Sequence, residues 1–92
     1  MKVLQEDDGK KGRFFIEAEG HIAAEMTYVY AGTDKMIIDH TEVAEELKGM
    51  GAGKQMVTEA VTFARKNHIK IMPLCPFAKS VFDKVAEFRD VL

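Results

Sequence analysis

Two periodicities divide the chain. In residues 13–39, "RFFIEAEGHIAAEMTYVYAGTDKMIID", β-branched and aromatic residues fall on a two-residue period in several stretches. That spacing belongs to strands, which send alternate side chains to opposite faces. From Gly53 the period changes. Val57, Ala60, Val61 and Ala64 recur at helical spacing, Met56 and Phe63 widen the stripe, and Thr58, Glu59, Thr62, Arg65 and Lys66 take the wet face. This is an amphipathic helix.

The pattern predicts strands near 2–6, 13–19, 21–30 and 35–41, a long helix over 51–67, a short buried strand in 69–75 and a last helix from about Phe77 to Phe88. "EDDGKKG" (6–12) and "AGTDK" (31–35) carry the Gly and Asp that hairpin turns require. "EG" at 19–20 leaves two alternatives open, a hairpin or one bulged ribbon over 13–30. The basic residues of "KNH" suit the negative end of the long helix, with Asn67 in the left-handed position. Pro73 ends or bulges the following strand, and Pro76 fits the first turn of the last helix. The order β-β-β-β-α-β-α is a mixed α+β fold, an antiparallel meander followed by β-α-β-α. If the strands flanking the long helix are parallel neighbours, their crossover is right-handed.

Composition narrows the function classes. The 92 residues are 47% hydrophobic and 30% charged, with a net charge of −2, which suits one globular domain. No basic stripe points to nucleic acid, and no apolar run approaches the roughly 18 residues of a membrane span. The N-terminus turns polar after four residues, which argues against a secretory signal. One cysteine excludes an internal disulfide framework and fits a reducing cytoplasm. No metal-ligand set is expected. His21 and His68 read as structural or exposed, and Met36, Met50, Met56 and Met72 as gap-filling.

"LKGMGAGKQMV" (47–57) places three glycines at alternate positions before the best helix. The first turn of a helix leaves N–H groups unpartnered, and glycines let an anion approach them. The segment is no P-loop, because position 48 is Lys and Gln55 replaces the magnesium-binding hydroxyl. It also lacks the third glycine of the dinucleotide fingerprint. What remains is [Q/R]-x-x-G-x-[G/A], matched by Lys48-Gly49-Met50-Gly51-Ala52-Gly53 with Lys in the first position.

With this loop, "DHTEV" (39–43) before it and "LCPFAKSVF" (74–82) after it, the sequence resembles the GCN5-related N-acetyltransferases, in particular their compact YjdJ-type members. The resemblance implies a minimal form of that fold with a splayed central sheet, acetyl-CoA as acetyl donor and an amine acceptor, either a small molecule or a protein lysine. It implies that Leu47, Lys48, Gly49, Met50, Gly51, Ala52, Gly53 and Lys54 surround the pyrophosphate. Ile38, Asp39, His40, Thr41 and Val43 would meet the pantetheine arm, with Cys75, Pro76 and Phe77 near the thioester. Catalytic candidates are Cys75, as acetyl carrier or thiol contact, and His40 and Glu42, two apart on one strand face and placed as bases. Nucleic acid and membrane are not expected as partners, and the chain is expected to be a monomer or weak dimer.

Two features depart from the family. Phe77, Phe82 and Phe88 occupy the segment where many members carry a proton-donating tyrosine, and Glu42, Glu45 and Glu46 crowd an anion site. They keep open two alternatives to an enzyme: a coenzyme A-binding module with little catalysis, and a structural protein that kept only the fold.

Overall fold

The computed structural model describes all residues, Met1–Leu92. One sheet carries strands β1 (Leu4–Asp7), β2 (Lys11–Ala18), β3 (His21–Tyr30), β4 (Lys35–Val43) and β5 (Lys70–Pro73) in that spatial order. The first four form the expected antiparallel meander, and β5 joins β4 in parallel. Between them runs helix α1 (Ala52–Asn67), and after β5 comes α2 (Pro76–Lys84). Short 3-10 turns span Glu45–Leu47 and Ala86–Val91. No helix is long and apolar enough to cross a membrane.

Residues 13–30 are a hairpin. Glu19 and Gly20 both have positive φ, 51° and 84°, the geometry of a two-residue type I′ turn that follows the natural strand twist. A bulge in β3, where Ile16 faces Ala24 and Glu17 faces Ile22, absorbs Ala23. β4 carries a second bulge. Tyr28 faces Ile38 and Thr27 faces His40, so Asp39 is the extra residue. Its side chain accepts a 2.6 Å hydrogen bond from the Thr27 hydroxyl.

The helices cover one face of the sheet. Met56, Val57, Ala60, Val61 and Ala64 of α1 are buried in one cluster with Phe14, Ile16, Met26, Tyr28, Met36 and Ile38. The other face is open. There Arg13 bridges Glu6 and Glu25 at 2.7 Å each and stacks 4.3 Å above Phe15.

Three boundaries differ from the sequence expectation. The left-handed residue after α1 is His68, with φ 56° and ψ 46°, while Asn67 stays helical and donates its side-chain amide to the Phe63 carbonyl. α2 stops at Lys84 rather than Phe88. Arg89 folds back to donate to the carbonyls of Phe82 and Asp83, while Arg65 binds Asp90 and the Glu87 carbonyl. These bonds satisfy helix-end acceptors and hold the last residues as a separate turn. β5 is confined to Lys70–Pro73, because the next two N–H groups, of Leu74 and Cys75, both go to the Ile38 carbonyl and the ladder does not advance.

At the β1 edge, Asp7 accepts hydrogen bonds from the hydroxyls of both Tyr28 and Tyr30, at 2.6 and 2.5 Å. Burial alone would raise the Asp7 pKa; the bonds from Tyr28, Tyr30 and the Gly9 N–H outweigh it and hold the carboxyl below its usual range. Burial, then the same carboxylate, pushes Tyr30 up to about 12 and Tyr28 higher still. Because the folded values are raised, the phenols stabilise the fold below about pH 10, and that contribution is lost as pH rises through the folded values. The chain has no tryptophan and two tyrosines, so phenolate absorbance reports on them alone. Both are expected to stay protonated at about pH 10, with Asp7→Asn moving the Tyr30 onset back toward that value. An onset near 10 in the unaltered chain would contradict the triad.

Candidate functional site

The parallel β4–β5 pairing stops at Ile38 and Pro73. There the Ile38 carbonyl accepts two N–H groups, from Leu74 at 3.0 Å and Cys75 at 3.1 Å. Beyond this point the chain turns into α2 at Pro76, while β4 runs on through Asp39–Val43 without a partner on that side. The sheet is therefore splayed, with an unpaired strand edge along one side of the opening.

Cys75 sits at the apex. It is buried, and its thiol donates to the Thr41 hydroxyl at 3.1 Å across the split. The Asp39 bulge creates this contact. Side chains alternate along a strand, so with Met36 and Ile38 on the helix side a regular strand would turn His40 and Glu42 inward. The extra residue shifts the phase, and Thr41 and Val43 face the helices instead. His40 and Glu42 do share a side, 3.7 Å apart and exposed, but it is the open face, away from Cys75.

The glycine loop stands at the wider end of the opening. Gly49 and Gly51 have φ of 80° and 78°, and the space where their β-carbons would lie is empty to 4 Å. Gly51 is the N-cap of α1 and offers no capping side chain. The first helical bond runs from the Gln55 N–H to the Gly51 carbonyl, and no protein acceptor meets the N–H groups of Ala52, Gly53 or Lys54. Three free donors thus stand at the positive end of a 16-residue helix. Gly53 has a different reason to be glycine. A β-carbon there would overlap Cζ and Cε2 of the Phe77 ring, which packs against it from α2.

These elements enclose a cavity of about 460 Å³. Of the residues expected from sequence, Val43, Leu47, Lys48, Gly49, Gly51, Ala52, Gly53, Lys54 and Phe77 line it. Ile38, Asp39, Thr41, Cys75 and Pro76 lie outside the lining, as do His40, Glu42 and the exposed Met50. Sequence reading missed the second wall, Ser80, Val81, Lys84 and Val85. For Ser80, Val81 and Lys84 the spacing from Phe77 was the available signal, since i, i+3, i+4 and i+7 share a helix face.

No carboxylate lines the cavity. Glu45 is engaged by Lys48 at 3.2 Å, and Glu46 by His21 at 2.6 Å, a hydrogen bond that holds His21 above the ordinary histidine range. The acidic residues before the loop are thus committed to neighbours, and His21 ties the loop's approach to the β2–β3 hairpin.

The two kinds of glycine respond differently to alanine. Gly51→Ala is expected to lower stability by about 1–2 kcal/mol, the cost of a left-handed L-residue. Gly53→Ala gains helix propensity of about 1 kcal/mol against displacement of an exposed ring tip, so its stability changes little while the Phe77 ring moves. Thermal unfolding together with the Phe77 ring resonances checks both; a large loss for Gly53→Ala and none for Gly51→Ala would contradict this account.

Comparison with known proteins agrees with this geometry. Residues 13–91 match the family described as GCN5-related N-acetyl-transferase. Protein NATD1 of Xenopus tropicalis is 30% identical over 74 residues, covering 79% of this chain and 68% of that protein. The solution structure of a GCN5-like protein from Staphylococcus aureus superposes with a TM-score of 0.75 at 35% identity, over 98% of this chain and 85% of that one. AAC(6')-Iy, solved with the bisubstrate analogue CoA-S-monomethyl-acetylneamine, shares the fold alone, at 11% identity and a TM-score of 0.60 over 84% of this chain and 61% of that one. The chain belongs to the GCN5-related N-acetyltransferases.

Proposed function

We propose that the chain binds acetyl-CoA in this cavity and transfers the acetyl group to an amine. The observation that carries the reading is the set of three unpartnered N–H groups at the head of α1, facing a cavity without carboxylates. The residues present fit the ligand along its length. The open space before Gly49 and Gly51 admits a diphosphate to the Ala52, Gly53 and Lys54 amides, with Lys54 adding charge. Val43, Leu47, Phe77 and Val81 supply an apolar lining. The free β4 edge, Asp39–Val43, offers peptide groups to the amides of the pantetheine arm, as a sheet edge pairs with a peptide. The coenzyme portion of the AAC(6')-Iy ligand, bound to the same fold, supports the same assignment.

Bound acetyl-CoA supplies an acetyl group activated as a thioester. Cys75 Sγ takes that group and gives up its thiol proton, which leaves with the coenzyme as the free thiol. An amine then takes the acetyl group from Cys75 and loses its own proton, restoring the cysteine thiol. His40, exposed on the open face with Glu42 beside it, is turned away from Cys75 and takes no part in this step. Thr41 holds the thiol in place through its hydroxyl. A second reading, a coenzyme-binding module with little turnover, draws support from the burial of Cys75 and from the absence of tyrosine in α2.

Incubation with acetyl-CoA is expected to release coenzyme thiol and add one acetyl group, mapped by mass spectrometry to Cys75, and a lysine-containing peptide should discharge that group. Cys75→Ala abolishes the adduct, and His40→Gln leaves discharge unchanged. Thiol release by Cys75→Ala at the unaltered rate would remove Cys75 from the reaction. Saturable binding without any release would favour the binding module.

A further inference from the structure

The coenzyme seat uses the glycine-loop wall of the cavity, and the α2 wall has its own chemistry. Phe77, Ser80, Val81 and Lys84 form one stripe along that helix and line the cavity opposite the loop. The chain has 15 acidic residues against 13 Lys and Arg, yet this lining holds three lysines and no acid. The lysines are not equivalent. Lys48 is engaged by Glu45. Lys54 stands in the first turn of α1, beside the free amides. Lys84 ends α2 on the far wall and takes part in no ion pair. Ser80 between them donates its hydroxyl to the Phe77 carbonyl at 2.6 Å and is not a free donor.

Cationic positions on two facing walls suit a ligand with two separate anionic groups. Coenzyme A is such a molecule, with a diphosphate within its chain and a phosphomonoester on the 3′ carbon of its ribose. We infer that Lys84 receives the 3′-phosphate and makes the chain select coenzyme A over 3′-dephospho-coenzyme A, an assignment that rests on the coenzyme reading above. An ammonium acts here as a point charge near solvent. A preference of about three- to tenfold is the scale of one exposed ion pair. The competing role for Lys84, a last-turn cation complementing the helix dipole, affects stability and leaves ligand choice alone.

Calorimetric titration with coenzyme A and with 3′-dephospho-coenzyme A separates these roles. The unaltered chain is expected to bind coenzyme A about three- to tenfold more tightly. Lys84→Gln should erase that gap by weakening coenzyme A while leaving the dephospho form unchanged, and Lys84→Arg should retain it. Lys79→Gln, which removes the same charge from an exposed α2 position outside the lining, should also retain it. Equal weakening of both ligands by Lys84→Gln, a gap that survives it, or no gap in the unaltered chain would each overturn the role of Lys84 while the coenzyme reading stands. Failure of the unaltered chain to bind either ligand would overturn both.

Discussion

The carbonyl of Ile38 accepts two N–H groups, from Leu74 and Cys75, and the parallel strand pairing ends there. Everything at the site follows from that stop. The Leu74 and Cys75 N–H groups converge on that one carbonyl, so β5 advances no further alongside β4, and Pro76 starts α2 in a new direction. The strand left behind keeps a bare edge over five residues, Asp39–Val43. A bare edge in the middle of a sheet, rather than at its border, is an accessible row of donors and acceptors. Cys75 lies at its closed end and the glycine-headed helix at its open end.

The electrostatics of the opening are local. A chain with a net charge of −2 has no general attraction for an anion, and three glutamates, Glu42, Glu45 and Glu46, lie just before the loop. Glu45 is met by Lys48 and Glu46 by His21, while Glu42 lies on the far side of the sheet. What faces the cavity is helix-end amide, lysine and apolar side chain. Backbone donors fixed by a folded helix need no reorganisation to meet an anion.

The elements that follow a simple period were legible from sequence. β3 and α1 fall within a residue of their expected limits because alternating and helical patterns both point one way into the core. The glycines were legible as a loop at the head of a helix, though not in their separate conformational roles. Gly49 and Gly51 answer to φ, whereas Gly53 answers to Phe77, a residue 24 positions away that no local pattern reveals. The Asp39 bulge went unread, although "MIIDHTEV" contains its signal. Strict alternation from Met36 and Ile38 would turn His40 and Glu42 inward, and one extra residue instead turns Thr41 and Val43 to the helix side, half-buried. The early end of α2 depends on Arg89 reaching back to the carbonyls of Phe82 and Asp83, a tertiary contact outside any helical period.

The central claim is that the opening between β4 and α1 seats acetyl-CoA by backbone. Titration of the isotope-labelled chain with acetyl-CoA, followed through its backbone amides, tests this most directly. The account expects saturable shifts concentrated at Gly49 to Lys54 and along Asp39 to Val43, with little change at the β1–β2 edge. Unmoved glycine-loop amides at millimolar ligand, or shifts confined to another surface, would contradict it.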